Sequence, residues 1–358
     1  MVNLQMATNQ PIINFKERNM TQMTLPLAKH LPDASRLAYG CMGLGGGWND
    51  AAITNDDVSQ TERIIDTCLA SGINLFDHAD IYTFGKAEQV FGKVLSAAPS
   101  LRENMYIQSK CGIRLADENS PKRYDFSTEW ITQSVDGILQ RLNCDYLDIL
   151  LLHRPDPLMN VDEVARTLTA IHQSGKAKFF GVSNMNQHQI SYLQNACSLP
   201  IIVNQLEMSL EKSEFVTQTI LANCPSAQGQ QAGQSINTGT LEYCQTNHIQ
   251  LQSWGSLAQG KYSQAANSQA RTDVTSPEST NQIQATTTQY VMQLAREYNV
   301  SPESIVLAFL TKHPAAIQPV IGTTNLERIK ACCQVMDFEI TREQWYQLLN
   351  LSLGQEIP

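Results

Sequence analysis

The stretch Ile73-Asn74-Leu75-Phe76-Asp77-His78-Ala79-Asp80-Ile81-Tyr82 runs from an apolar segment directly into ionisable side chains. The same change recurs twice further along the chain. Lys110 closes the run at residues 105–110, and His153 closes the run at residues 147–153. Short apolar runs of this kind are typical of buried β-strands. Four ionisable side chains therefore lie at or just past the end of a predicted strand: Asp77, Tyr82, Lys110 and His153.

Short apolar runs alternate with longer amphipathic stretches from about residue 36 onward. The strand candidates are residues 37–42, 73–76, 105–109, 146–152, 178–182, 201–204, 249–253 and 319–321. The helix candidates between them include residues 57–71, 87–98, 128–142, 161–174, 187–196 and 283–298. Strict alternation indicates parallel βαβ units. Eight strands in this length predict an α/β fold with one closed (β/α)8 barrel, or TIM barrel, spanning residues 22–358.

Several stretches interrupt this alternation. Residues 1–21 are predicted to be a loose leader, and residues 22–35 a short β-hairpin that plugs the barrel bottom. Residues 223–240 are rich in Gln, Gly, Ser and Ala, a composition that predicts a disordered insertion. Residues 258–282 are polar and follow the seventh strand. A long loop at the carboxyl-terminal rim of a barrel is often a functional lid.

Composition limits the partners and the compartment. The formal net charge of −9 argues against nucleic acid or an anionic membrane as the main partner. Nine cysteines at irregular spacing, with no CxxC pair, predict free thiols in a reducing cytoplasm. The first 20 residues lack the apolar region of a secretory signal, and no apolar run approaches ~18 residues. We therefore expect a cytoplasmic protein.

The four strand-end residues together predict a proton-donating site, although each one alone is equally consistent with packing. A tyrosine with a pKa near 10 is a poor acid at neutral pH unless its phenolate is stabilised. An ammonium from Lys110 would lower the pKa of Tyr82, and Asp77 would keep that ammonium charged. His153 could orient a substrate oxygen or relay the proton. Such a site suits hydride addition to a carbonyl, with the hydride supplied by a cofactor.

The same residues carry a family resemblance. The stretch from Phe76 to Tyr82, followed by Gly85-Lys86-Ala87-Glu88, resembles the signature of the aldo-keto reductase superfamily. Ser109-Lys110, Leu151-Leu152-His153-Arg154-Pro155-Asp156 and Gly181-Val182-Ser183-Asn184 resemble its later motifs in order and spacing. The likeness extends from about residue 37 to 338. Within the superfamily the chain is similar to the bacterial YdhF-type oxidoreductases.

This resemblance implies an NADP(H)-linked reductase. Tyr82 would be the general acid, Lys110 and Asp77 its tuning pair, and His153 the group that orients the carbonyl. The residues implied at the nicotinamide carboxamide are Ser183, Asn184 and Gln205. An amide needs both donors and acceptors, and these three side chains supply both. The alternative for each is a polar strand cap that faces water.

Trp254 matches the position of the family aromatic that stacks on the nicotinamide ring, and a core tryptophan is the alternative. An indole face would shield one side of the ring. The residues expected to start the loop over the pyrophosphate are Gly255, Ser256, Leu257 and Gln259.

The phosphate end of the cofactor is predicted after the last strand. A helix start follows Gly322, Thr323 and Thr324, and backbone N–H groups at a helix N-terminus form an anion site. Arg328 matches the family arginine at the adenosine 2′-phosphate or adenine, with a solvated helix face as the alternative. Many family members carry a lysine near Gly322, and this chain does not. NADPH is therefore preferred, and NADH stays open.

Substrate contacts are less determined. Trp48, in a glycine-rich loop, is expected to form an apolar wall. His78 either touches the substrate or points away from it. The variable rim loops are residues 43–55 and 114–126 and the C-terminal tail. In the second of these, Arg114, Lys122 and Arg123 either favour an anionic substrate or form a solvated loop.

The chain has three candidate functions. An NADPH-dependent carbonyl reductase, by default a monomer, explains the four strand-end residues. We call these residues the tetrad: Asp77, Tyr82, Lys110 and His153. A nicotinamide-binding redox sensor or regulatory subunit is the alternative, because the superfamily includes channel-associated relatives. A metal-dependent hydrolase would need clustered histidine and carboxylate ligands at the strand ends. The seven histidines do not supply such a cluster, so no metal is expected.

Overall fold

The computed structural model describes residues 24–220, 239–263 and 278–358. Eight strands form a closed, all-parallel barrel, and two short strands form an antiparallel hairpin on its rim. The strands, in chain order, are β1 Ala38–Gly40, β2 Leu75–Asp77, β3 Tyr106–Cys111, β4 Ile113–Arg114, β5 Arg123–Tyr124, β6 Leu147–Leu152, β7 Ala177–Ser183, β8 Ile201–Glu207, β9 Gln250–Trp254 and β10 Gln318–Ile321. The barrel order is β1-β10-β9-β8-β7-β6-β3-β2, and β1 closes it by pairing with β2.

Helices cover the outside of this barrel. They are α1 Asn55–Ala70, α2 Lys86–Ala97, α3 Thr128–Leu142, α4 Val161–Gln173, α5 Gln187–Ala196, α6 Glu214–Ile220, α7 Thr240–Thr246, α8 Glu278–Tyr298, α9 Pro302–Thr311, α10 Leu326–Cys333 and α11 Arg342–Leu353. Short 3₁₀ helices are Pro26–Lys29, Cys41–Gly43, Tyr82–Gly85, Pro99–Asn104, Ala258–Gly260 and Gln334–Met336. None of the described helices is long and apolar enough to cross a membrane. The predicted (β/α)8 barrel is confirmed.

Local sequence signals explain where the helices begin and end. The Ser127 side chain accepts a hydrogen bond from Trp130 N, and Ser301 accepts one from Ser304 N, so each caps a helix. Gly72 (φ 79°) and Gly175 (φ 77°) adopt the left-handed conformation that glycine tolerates without a Cβ clash. These terminators place each following strand in register for the parallel ladder.

The predicted hairpin at residues 22–35 is wrong over its described part. Residues 26–29 form a 3₁₀ helix that starts at Pro26, whose missing N–H is tolerated at a helix start. Leu25, Leu27 and Leu31 are buried against inward-facing strand residues. This segment, which we call the N-terminal plug (residues 24–35), closes the barrel bottom with apolar side chains rather than with a strand pair.

The remaining interruptions differ in outcome. The leader at residues 1–21, most of the predicted insertion at 223–240 and the centre of the predicted lid at 258–282 lie outside the described residues. Helix α7 already begins at Thr240, and helix α8 begins at Glu278, five residues earlier than the periodicity predicted. Eight cysteines fall within the described residues, and all eight are free thiols.

Gly92 sets the spacing between helices α2 and α3. A Cβ added at Gly92 would lie 2.0 Å from the backbone oxygen of Arg141 and 2.8 Å from the carbonyl carbon of Leu142. Backbone atoms cannot move aside as a side chain can, so the two helices would have to separate. Gly137, in α3, has a different environment: its added Cβ would meet only the far end of the Arg141 side chain.

We therefore predict that Gly92→Ala lowers the free energy of unfolding by about 1–3 kcal/mol through overpacking. The matched Gly137→Ala change should be neutral or stabilising by up to ~1 kcal/mol, because alanine is the better helix former. Urea unfolding of the two variants measures both effects. Equal destabilisation by both changes would contradict the assignment of Gly92 to the helix contact.

Candidate active site

The four predicted catalytic residues meet at the carboxyl-terminal rim of the barrel. Asp77 is the last residue of β2, Lys110 lies near the end of β3, and His153 directly follows β6. Strands β2, β3 and β6 are consecutive neighbours in the barrel. Because all three run parallel, their carboxyl ends open on the same rim. Tyr82 begins a 3₁₀ helix five residues after β2.

The ammonium group of Lys110 is the centre of this cluster. Lys110 Nζ lies 2.7 Å from Asp77 Oδ2, 2.8 Å from the carbonyl oxygen of His78 and 2.9 Å from the Tyr82 hydroxyl. An ammonium has three N–H donors, so these three bonds use all of them. The Tyr82 oxygen accepts one of the bonds, which leaves the phenolic proton free to point elsewhere.

Charge and burial act in opposite directions at Lys110. Burial alone would lower its pKa, but Asp77 and Tyr82 outweigh burial, and the net pKa of Lys110 is raised above its usual value. The lysine is therefore charged at neutral pH although its side chain is fully buried.

A strained turn holds Tyr82 in place. Thr83 (φ 48°) and Phe84 (φ 59°) both adopt the left-handed conformation, which is rare for β-branched and bulky residues. The Thr83 hydroxyl donates to the carbonyl oxygen of Leu44 at 3.1 Å. Each such backbone conformation costs about 1–3 kcal/mol, and such strain is concentrated at functional sites.

Two opposing effects determine the pKa of Tyr82. Burial raises it, Lys110 lowers it, and the net pKa lies above the usual value of 10. Lys110 acts in the predicted direction, but loss of hydration of the phenolate outweighs the nearby ammonium. The hydroxyl consequently carries its proton at neutral pH.

His153 faces Tyr82 edge to face, with 6.1 Å between the ring centroids. Burial lowers the pKa of His153 well below its usual value, and the cations of Lys110, Arg154 and Lys122 lower it further. The imidazole is therefore neutral at physiological pH. Its Nδ1 is buried without a hydrogen-bond partner among the described residues.

The three predicted carboxamide-binding residues are joined to each other. The Ser183 hydroxyl donates to the Gln205 carbonyl oxygen at 2.9 Å and accepts from Asn184 Nδ2 at 2.8 Å. Asn184 Nδ2 also donates to the carbonyl oxygen of His153 at 3.1 Å, and Asn184 Oδ1 accepts from Trp254 Nε1 at 3.1 Å. Gln205 Nε2 donates to Asp77 Oδ1 at 3.1 Å.

One cavity of about 770 Å³ contains the tetrad residues Asp77, Tyr82 and His153 together with every residue predicted to bind the cofactor. Those lining residues are Ser183, Asn184, Gln205, Trp254, Gly255, Ser256, Leu257, Gln259, Gly322, Thr323, Thr324 and Arg328. Eleven of the twelve come from the carboxyl ends of β7 to β10 or the connections after them, and Arg328 lies in α10. A larger cavity of about 1140 Å³ lies beside this one, but none of the four tetrad residues lines it.

The far end of the cavity is polar. Helix α10 begins after Asn325, whose side chain accepts from Arg328 N at 3.1 Å. The Arg328 guanidinium donates to Glu303 Oε1 at 3.1 Å and to the Ser263 hydroxyl at 2.9 Å. The Arg328 side chain is about one-third exposed. It is thus available to a ligand, but it already has an acidic partner.

Of the two predicted substrate residues, one lines the cavity and the other does not. Trp48 lines the cavity and packs edge to face on Phe84, with 5.4 Å between the centroids. His78 does not line the cavity: its ring is fully buried against Phe91, with 4.6 Å between the centroids. Burial lowers the pKa of His78 to about 3. Side chains alternate across β2 and its extension, so His78 points away from the barrel interior while Asp77 points into it.

The basic residues predicted at the rim also differ in whether they line the cavity. Lys122 lines the cavity, whereas Arg114 pairs with Asp125 at 3.3 Å and stacks on Trp130, outside it. Arg123 is not among the lining residues. Arg154, for which the sequence predicted no role, lines the cavity as well.

Sequence reasoning also missed four buried glutamines inside the barrel. Gln108 on β3, Gln250 and Gln252 on β9 and Gln318 on β10 are fully buried. A possible signal was available in Gln250-Leu251-Gln252, where polar residues recur at the two-residue period of one strand face. Without the barrel, that period does not reveal which face is interior.

A sequence profile of the aldo/keto reductase family matches residues 36–352. The chain belongs to the aldo/keto reductase family. It is 33% identical over 329 residues to a 6-dehydroglucose reductase of Agrobacterium fabrum (strain C58), covering 91% of this chain and 96% of the relative. It is 32% identical over 337 residues to the oxidoreductase YdhF of Escherichia coli (strain K12), covering 93% and 99%. The resemblance inferred from the motifs is confirmed.

Solved structures support the fold of this aldo/keto reductase family member. The glycerol dehydrogenase of Gluconobacter oxydans superimposes with a TM-score of 0.72 at 21% sequence identity, covering 91% of this chain and 94% of that one. At this identity the likeness speaks for the barrel alone. Within the described residues, no group of three or more His, Cys, Asp or Glu side chains could hold a metal ion.

Behind the Tyr82 turn lies a second, crowded set of charges. Glu88 is fully buried, where it accepts from Ser109 Oγ at 2.7 Å and from Arg141 Nε at 2.8 Å. Asp80 shares this region, and its Oδ1 is buried without a partner among the described residues. Burial, followed by the nearby Glu88, raises the pKa of Asp80 to about 7.

A raised carboxyl pKa has a defined effect on stability. The contribution of protonated Asp80 is fully present below the usual carboxyl pKa near 4 and is lost as the pH rises through about 7. Asp80→Asn stays neutral at every pH. We therefore predict that its free energy of unfolding, relative to that of the unmodified protein, increases from pH 5 to pH 8. Urea unfolding at both pH values measures this difference, and a pH-independent difference would contradict it.

Proposed function

We propose that this protein is an NADPH-dependent oxidoreductase that reduces aldehyde or ketone carbonyls to alcohols, with Tyr82 as the general acid. The observation that carries the proposal is the hydrogen-bonded chain from Asp77 through Lys110 to the Tyr82 hydroxyl, with distances of 2.7 and 2.9 Å. This chain ends at a cavity large enough for a dinucleotide and a small substrate.

The lining of the cavity suits a nicotinamide dinucleotide. No hydrogen bond within the described residues uses Gln205 Oε1, so this acceptor is available to a carboxamide N–H₂. Trp254 contributes an indole that is anchored through its N–H to Asn184, and a flat ring can stack on its face. The N-terminus of α10, next to Thr323 and Thr324, suits a phosphate group. When bound, the reduced nicotinamide supplies the hydride.

The residues of the tetrad then act on the carbonyl oxygen. Tyr82 and His153 donate hydrogen bonds to that oxygen and polarise the carbonyl. Tyr82 transfers its proton to the oxygen as a C–H bond forms at the carbonyl carbon. The phenolate left on Tyr82 is stabilised by the Lys110 ammonium at 2.9 Å, and Asp77 keeps that ammonium charged.

The coenzyme preference depends on Arg328 and Glu303. A free guanidinium at the far end of the cavity favours the 2′-phosphate of NADPH. The ion pair with Glu303 reduces this advantage, and a carboxylate at this place matches the ribose 2′-hydroxyl of NADH. We propose NADPH as the preferred coenzyme because Arg328 has N–H groups beyond those used by Glu303 and Ser263.

The proposal is tested by following nicotinamide absorbance with NADPH, then NADH, and a panel of small aldehydes and ketones. Tyr82→Phe should bind the coenzyme normally but lower kcat roughly 10²–10⁴-fold, because the general acid is lost. Tyr124→Phe is the matched control, since Tyr124 lines the same cavity, and it should keep its activity.

The other outcomes separate the alternatives. Tight nucleotide binding without turnover of any carbonyl would favour the redox sensor or regulatory subunit. Failure to bind either nucleotide would reject both functions. A fully active Tyr82→Phe variant would reject the acid assignment alone.

We further propose that the substrate carries an acidic group. Lys122 and Arg154 line the substrate side of the cavity, and neither has a salt bridge within the described residues. Of the described residues, two acidic ones line the cavity, and both already have basic partners: Asp77 pairs with Lys110, and Glu303 pairs with Arg328. The substrate side therefore carries uncompensated positive charge, which an anionic substrate would balance.

Two four-carbon aldehydes test this charge preference, since succinic semialdehyde differs from butanal by a terminal carboxylate. We expect kcat/KM to be higher for the acid, and the double change Lys122→Met and Arg154→Met to remove about tenfold of that advantage, or ~1.4 kcal/mol. Arg123→Met is the control, because Arg123 does not line the cavity. An unchanged ratio in the double variant would contradict the proposal.

A further inference from the structure

Four glutamines cross the interior of the barrel. Gln108 lies on β3, Gln205 on β8, Gln252 on β9 and Gln318 on β10, and each is at most 1% exposed. The interior of such barrels is usually filled by branched apolar side chains. Burying an amide is unfavourable unless its polar atoms find partners. A set of four therefore calls for a specific explanation.

These side chains form one continuous chain of hydrogen bonds. Gln318 Nε2 donates to the Ser35 carbonyl oxygen at 2.6 Å, and Gln252 Nε2 donates to Gln318 Oε1 at 3.0 Å. Gln252 Oε1 in turn accepts from Gln108 Nε2 at 2.9 Å and from Gln205 Nε2 at 3.1 Å. We call these four residues and their bonds the glutamine chain.

The upper end of the glutamine chain is Asp77. Gln108 Nε2 donates to Asp77 Oδ1 at 2.5 Å, and Gln205 Nε2 donates to the same oxygen at 3.1 Å. The other carboxylate oxygen of Asp77 accepts from Lys110. The glutamine chain therefore meets the Lys110–Tyr82 pair at a single carboxylate.

Both ends of the chain accept hydrogen bonds and cannot donate them. A backbone carbonyl and an ionised carboxylate have no proton to give. The amide of Gln318 must therefore present N–H to Ser35, which leaves its oxygen for Gln252. Gln252 must then present its own oxygen to Gln205. The same order repeats at each step, so the ends determine the orientation of every amide between them.

The lower end of the chain is itself rigid. Ser35 N donates to Asn74 Oδ1 at 2.9 Å, and Asn74 N donates to Ser35 Oγ at 3.0 Å. This reciprocal pair ties the N-terminal plug to the start of β2. The Ser35 carbonyl is therefore a fixed reference for the first amide in the chain.

The consequence reaches the cavity at Gln205. Both N–H bonds of its amide are used, one by Asp77 and one by Gln252. Only Oε1 remains, so Gln205 can accept a hydrogen bond from a ligand but cannot donate one through its side chain. A rotated amide would place its oxygen against Asp77 and against Gln252 Oε1, and both contacts would be repulsive.

We infer that Gln252 is a positioning residue that selects the orientation of the Gln205 amide, and thereby the group that Gln205 recognises on the coenzyme. This inference rests on the proposed function. Gln252 is not among the residues that line the catalytic cavity, so it acts on the cavity through Gln205 and Gln108, which both donate to Asp77. The group recognised is the amino half of the nicotinamide carboxamide, because only that half can donate to Oε1.

The cost of the arrangement is visible at Gln108. Its Oε1 is buried without a hydrogen-bond partner among the described residues. An unsatisfied buried acceptor is destabilising. The orientation of Gln108 that serves Asp77 and Gln252 therefore leaves its own oxygen unpaired.

The test compares NADPH with its 3-acetylpyridine analogue, in which a methyl group replaces the carboxamide amino group. Dissociation constants are measured by fluorescence titration, so catalysis is not required. The unmodified protein should bind the analogue about tenfold or more weakly, because Gln205 Oε1 loses its donor. Gln252→Met removes one of the two contacts that oppose rotation of the Gln205 amide and leaves only the bond to Asp77. The rotated orientation therefore becomes less unfavourable, and the ratio should fall by about threefold or more.

Gln250→Met is the matched control. Gln250 lies on the same strand and is equally buried, but it bonds to Ala316 O, Leu251 O and Leu27 N, outside the glutamine chain. Both variants lose buried hydrogen bonds, so both should lose stability. Only Gln252→Met should lose discrimination between the two coenzymes, which a purely structural role would not change.

The outcomes separate this inference from the proposed function. Failure of the unmodified protein to bind NADPH or NADH would reject the function. Binding with no discrimination against the analogue, or a wild-type ratio in Gln252→Met, would overturn the inference alone. If Gln252→Met does not fold, Gln318→Met replaces it in the test. Removing the next amide along the glutamine chain should also reduce the ratio of the two dissociation constants. A wild-type ratio in folded Gln318→Met would likewise overturn the inference.

Discussion

Lys110 places a charged ammonium in the interior of the barrel, and the surrounding residues are arranged to keep it charged. An isolated buried charge is expensive, and a single partner seldom repays that cost. Here the Asp77 carboxylate, the His78 carbonyl and the Tyr82 hydroxyl use all three N–H donors. The positions of β2, β3 and the Tyr82 turn are therefore tied to one another through a single nitrogen atom.

The requirement for a buried carboxylate extends the polar network further. Asp77 needs donors on its second oxygen, and Gln108 and Gln205 supply them. Gln205 is also on the wall of the cavity, so this wall and the Lys110–Tyr82 pair share one carboxylate. A polar core of this kind replaces apolar packing with hydrogen bonds that specify orientation. The strained backbone at Thr83 and Phe84 likewise costs stability and holds Tyr82 in position.

Much of the barrel could be predicted from periodicity. The strand run at residues 147–152 and the capped helix starts at Ser127 and Ser301 are local signals, and the structure confirms them. The hairpin predicted at the barrel bottom failed because alternating leucines fit a strand or a short turn equally well. Only the barrel interior decides which of the two buries them. For His78 the sequence left both directions open, and the closed barrel buries its ring outside the cavity.

The sequence by itself determined the family, the alternation of strands and helices, and the identity of the four rim residues. These follow from local chemistry: apolar periodicity, caps and short motifs. Tertiary structure alone decided the net pKa of Tyr82, the pairing of Arg328 with Glu303 and the orientation of the glutamine chain. Each of these depends on groups distant in sequence and on how far water is excluded. Burial and contact across the barrel are properties of the closed fold, and no single segment contains them.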